Sequence, residues 1–171
     1  FGFDDHDPST CPGGLTLGEE RVNVVCAVYN YIASVIDLGG TTPDILIAQS
    51  EPDGKGPIAV GSPLFNYSII SGFVGGLLNE HITDGIDLTP TPGEFDAYIR
   101  MDFGPRTING NPILINSCTS CPVGEVDLFT VILHEATHGL GFLSLMNDDG
   151  TSIHAGPYSR FDQFIIDEIG R

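Results

Sequence analysis

Apolar residues recur at threes and fours along Leu17–Leu38, where Val22, Val25, Cys26, Tyr29, Ile32 and Ile36 form a helical stripe. Thr16 followed by Glu19 reads as a capping box at its start, and Gly39-Gly40 as its stop. Asp44–Gln49 is a short apolar run and predicts a buried strand; Ile58–Gly61 and Ser68–Ile70 are weaker strand candidates. Phe73–His81 has the length of a short helix, although its glycines work against it. Tyr98–Phe103 alternates: Ile99, Met101 and Phe103 point one way, Tyr98, Arg100 and Asp102 the other. Asn109–Ile115 reads as a turn leading into a short extended piece. Helical spacing returns over Asp127–Leu140 and Arg160–Ile169. One helix, then mostly strands, then helices is the pattern of an α+β fold: a twisted mixed sheet with an N-terminal backing helix.

The length, 171 residues, suits a single domain spanning 1–171. The start in polar sequence suggests a mature or trimmed form, and the ending at Gly170-Arg171 suggests a natural chain that continues. The formal net charge is -17, from 23 acidic against 6 basic residues. Such a surface repels nucleic acid and anionic membranes and keeps a monomer in solution. It also makes calcium a second cofactor expectation, at Asp4-Asp5-His6-Asp7 and Asn147-Asp148-Asp149-Gly150, though neither run has EF-hand spacing. Cys11, Cys26, Cys118 and Cys121 favour disulfides and an oxidising, extracellular compartment. Three pairings exist; Cys11–Cys26 with Cys118–Cys121 is the simplest by proximity.

The strongest chemical signal lies in the second long helix. Phe129–Phe142 reads FTVILHEATHGLGF. His134 and His138 are four residues apart, so on a helix both imidazoles stand on one face and can reach one zinc ion. Glu135 projects beside them, where it can take a proton from a water acidified by the metal and pass it to the leaving amine. Val131, Ile132 and Leu133 anchor the helix, and Gly139 and Gly141 let the chain turn away behind it. The bland alternative, two unligated histidines beside a surface glutamate, explains this spacing poorly in a chain with five histidines.

HEATHGLGF resembles the zincin metallopeptidases, and its HExxHxxG opens the metzincin pattern. The third metzincin His would fall at Ser144, so that ligand is absent, and Met146 is too near the helix for the metzincin Met-turn. Closer is the resemblance to secreted bacterial proteins in which HExxHGLGF precedes an FDxF segment, here Phe161-Asp162-Gln163-Phe164. The phrase His81–Asp87 and the strand before Gly104 are also similar to that group. The resemblance implies a secreted zinc metallopeptidase domain acting on protein or peptide substrates.

A third zinc ligand must come from elsewhere. On a helix over Arg160–Ile169, Asp162 shares a stripe with Ile165, Ile166 and Ile169, and an acid so placed must be paired or metal-bound. A later Asp or Glu completes the zinc sites of gluzincins and aspzincins, and Asp162 resembles that arrangement. Ser159 with Asp162 equally reads as a capping box, which alone would account for both residues. His154, in a flexible loop, is the alternative third ligand, with Asp148, Asp149 and Asp167 behind it. Tyr158 is an oxyanion candidate, and Tyr98–Phe103 a candidate edge for pairing with extended substrate. The expected activity is zinc-dependent endopeptidase. Hydrolysis of a non-peptide amide, or a catalytically silent zincin-like module, would leave the same helix.

Overall fold

The computed structural model describes residues 2–66, 72–89, 91–108, 111–118, 121–154 and 156–165. Among these the chain is α+β, with three α-helices and small mixed sheets. Its contacts divide into two compact units: residues 1–37, 47–60 and 99–135 form the first, and 38–46, 61–98 and 136–171 the second. Strands β1 (Ile45–Gln49), β2 (Ala59–Pro63) and β4 (Ala97–Met101) form a three-stranded sheet in the order β1-β4-β2.

In the first unit, helix α1 spans Leu17–Val35 and opens on the expected box, in which Thr16 accepts the Glu19 N–H and Glu19 accepts the Thr16 N–H. Its buried face is rotated from the expected stripe. Arg21, Val28 and Ile32 are buried, while Val22 and Cys26 are exposed. The N-terminal segment causes the rotation. Phe3 and Asp5 run against Gly18, where a Cβ would come within 2.5 Å of the Phe3 carbonyl. The Arg21 guanidinium donates to the Gly2 carbonyl at 2.6 Å and to Asp5 at 3.2 Å, and stacks over Phe103 at 4.3 Å. Asp5, inside the expected calcium run, is thereby paired with arginine. The backbone N–H of Asp7, with help from Arg21, holds the Asp5 carboxyl below its usual range despite burial. The helix ends at Val35 because Ile36 turns extended, three residues before the expected glycine stop.

Ile99, Met101 and Phe103 are buried, as their alternation predicts. Asp102 is buried too, because it caps the Gly104 N–H at 2.7 Å and pairs with Arg106 at 2.9 Å. Strands β5 (Arg106–Ile108) and β6 (Asn111–Ile113) form an antiparallel ribbon, and β7 (Ile115–Asn116) runs parallel to β8 (Val126–Asp127).

In the second unit, β3 (Phe73–Val74) pairs in parallel with β9 (Tyr158–Ser159). Helix α2 spans Leu77–Asp84, so the Phe73–His81 segment is half strand, half helix, broken at Gly75-Gly76. The Ser68–Ile70 expectation lies outside the described residues. The Arg160–Ile169 helix is a single 3-10 turn, Arg160–Phe164, ending where Ile165 turns extended; residues 166–171 lie outside the description.

The disulfide joins Cys11 to Cys118, and Cys26 and Cys121 are free and exposed. Proximity in sequence misleads because α1 carries Cys26 about 14 Å along its axis from Leu17. No helix among the described residues is long and apolar enough to cross a membrane. Closing a loop of 107 residues restricts the unfolded chain, and Cys11→Ser should cost about 2–5 kcal/mol in a denaturant titration, with Cys26→Ser near neutral.

Candidate metal centre

Helix α3 spans Leu128–Gly139 without a break. Asp127 starts it, its carboxylate accepting the Thr130 N–H at 3.0 Å. Leu128, Ile132, Ala136 and Gly139 are buried at helical spacing. His134 and His138 lie roughly a third of the way round from that stripe, one turn apart. His134 is exposed, His138 half-buried and Glu135 buried. In the first unit, His134 and Glu135 border a recess of about 350 Å³ whose other wall is Pro57, Ile58 and Ala59, at the start of β2.

The two glycines behind the motif have different work. Gly139 faces Ala97 at ordinary packing distance, since a Cβ there would lie 3.5 Å from the Ala97 methyl. Gly141, at φ 108°, turns the chain into a Schellman ending. The Phe142 N–H reaches back to the Thr137 carbonyl at 3.1 Å and the Gly141 N–H to His138 at 2.9 Å. This turn presents the Phe142 carbonyl to His138 Nδ1 at 2.7 Å. A carbonyl only accepts, so Nδ1 donates, and in the neutral imidazole the metal-binding lone pair then lies on Nε2. The two imidazoles on α3 therefore fit a zinc ion in kind, and the Phe142 carbonyl orients that of His138.

Asp162 is buried, and the capping box is present in both directions. Oδ2 accepts the Ser159 N–H at 2.7 Å and the Leu145 N–H at 3.0 Å. Oδ1 is buried with no hydrogen bond of good geometry, although the Ser144 hydroxyl still favours the charge. Burial raises this carboxyl's pKa, but Ser144, Leu145 and Ser159 outweigh it and hold it below the usual value. The expected stripe with Ile165 is not there: Ile165 is exposed, beyond the end of the turn. The cap accounts for Oδ2 and leaves Oδ1 as the oxygen available for another partner.

His154 is exposed on a turn, its backbone N–H on the Ser152 hydroxyl at 3.3 Å. Asp149 caps the Thr151 N–H at 3.0 Å, and Asp148 is exposed. Asp167 lies outside the described residues. The Tyr158 hydroxyl donates to the Gly150 carbonyl at 3.0 Å. The Tyr98–Phe103 segment is no edge: β4 is the middle strand of its sheet, with β2 and β1 outside it.

Among the described residues one group of three His, Cys, Asp or Glu brings its ligand atoms within 4.8 Å of one another, and it is His81, Asp87 and Asp96. This group could hold a metal ion. Neither α3 histidine nor Asp162 belongs to it. The readable signal was an imidazole in the apolar stripe of α2, with Leu77 and Leu78.

No family model matches the chain, and no match was found among curated proteins or solved structures.

Gly141→Ala forces a side chain into the left-handed region and loosens the Phe142 carbonyl. It should lower stability by about 1 kcal/mol and weaken zinc binding, read by thermal unfolding and calorimetry. For Asp162 the folded carboxyl titrates below its ordinary value of 3.8. Its stabilisation is then complete above that value and lost as pH falls through the lower, folded one. The stability gap between the native chain and Asp162→Asn should be widest near neutral pH and close in acid.

Proposed function

We propose that this chain is a secreted, zinc-dependent endopeptidase domain with a zincin-like active site. The observation that carries the reading is the unbroken α3 with His134 and His138 one turn apart, Glu135 between them, and the His138 proton fixed on Nδ1 by Phe142. His134 and His138 would hold the zinc, and Asp162 Oδ1 is the third donor best suited in chemistry, with His154 as the alternative. A bound zinc supplies Lewis acidity toward water and the scissile carbonyl.

The rest of the chemistry falls to the chain's own residues. Glu135 is buried beside the recess, so its carboxylate works partly shielded from bulk water and can take the proton of the attacking water. It then returns that proton to the departing amine. His138 keeps its orientation throughout because its second nitrogen stays on the Phe142 carbonyl. Ile58 and Ala59 lead into β2, an outer strand of the three-stranded sheet, so an extended peptide would pair with that backbone while its bond lies over the recess. Secretion is supported by the Cys11–Cys118 disulfide, which suits an oxidising compartment. The acidic surface favours peptide substrates over nucleic acid.

Zinc-loaded protein should cleave an unfolded protein substrate, lose activity to a chelator, and recover it with zinc. Glu135→Gln should lower kcat by about 10²–10⁴ while retaining the metal. Full activity in Glu135→Gln, or hydrolysis confined to non-peptide amides, would contradict the proposal.

A further inference from the structure

We propose that His81, Asp87 and Asp96 form a second divalent-metal site of the zinc class, distinct from α3, which ties the segment after α2 to the start of β4. All three residues belong to the second unit. His81 sits in the last turn of α2, Asp87 in the following loop, and Asp96 immediately before β4.

The argument starts from charge. Asp96 is wholly buried and Asp87 approaches it within the 4.8 Å that encloses the group. Among the described residues neither acid pairs with a lysine or arginine. Two carboxylates this close, one of them out of water, concentrate negative charge around a single imidazole with no lysine or arginine beside them. A divalent cation cancels it.

The hydrogen bonds point the same way. Asp96 Oδ2 accepts the Asp44 N–H at 3.1 Å and faces His81 Nδ1 at 2.9 Å. Oδ1 faces the Thr89 hydroxyl at 3.0 Å, but that hydroxyl also faces Asp87 Oδ1 at 3.3 Å. Asp87 Oδ1 also accepts the Thr89 N–H at 2.8 Å, which fixes this carboxylate beside Asp96. The His81 side chain is 8% exposed, with Nδ1 as its bonded nitrogen. An imidazole with two carboxylates selects zinc or a similar transition metal over calcium. The exposed side of Asp87 leaves room for a water as the fourth ligand.

The site is independent of the peptidase reading, and metal stoichiometry separates the two. With Zn²⁺ as the only probe, the full chain should bind two ions, and the His134→Ala/His138→Ala variant one. In that background Asp87→Asn, an exposed change that preserves the fold, should weaken the remaining ion roughly tenfold or more. Chelation should also lower the thermal midpoint of the His134→Ala/His138→Ala protein. The proposal is overturned if that variant binds no zinc at concentrations saturating the native chain. It is equally overturned if the remaining ion is indifferent to Asp87→Asn and His81→Ala, which would leave a protonated His81 as the counter-charge. A native chain binding one ion, retained without His134 and His138, would instead refute the α3 assignment alone.

Discussion

The hydrogen bond from His138 Nδ1 to the Phe142 carbonyl connects the fold to the chemistry. It exists because the chain leaves α3 through Gly141 in a conformation other residues adopt at a cost. The same turn closes the last carbonyls of the helix. An imidazole offered to a metal must have its proton on the other nitrogen, and here the helix ending supplies the acceptor for that proton. On the proposed reading, helix termination and ligand preparation are one structural event.

That coupling explains why the motif was legible in sequence while its supporting parts were not. The spacing His134, Glu135, His138 follows from helical periodicity, and the apolar residues before it fix which face is buried. Gly141 was readable as a turn, but its delivery of the Phe142 carbonyl to His138 needs coordinates. The Thr16–Glu19 and Ser159–Asp162 boxes were read correctly because capping is local. The face of α1 was not, because the residue that covers Arg21 is Asp5, sixteen positions away. Cysteine pairing failed for the same reason: a contact across 107 residues leaves no trace in spacing.

Acidic residues show how charge is allotted in so negative a chain. Asp5 is used against Arg21, Asp102 against Arg106, and Asp162 against two backbone N–H groups. Each of these three buried carboxylates thus has a donor of defined geometry, as burial demands. Asp96 differs, since its company includes a second acid. With few cations in the sequence, metal ions are the natural remaining source of positive charge.

Anomalous scattering from crystals of the zinc-loaded protein tests the central claim most directly. The account predicts a zinc peak within bonding distance of Nε2 of both His134 and His138, with the His138 Nδ1 contact to Phe142 intact. Fully loaded crystals with no anomalous density between those two rings would contradict it.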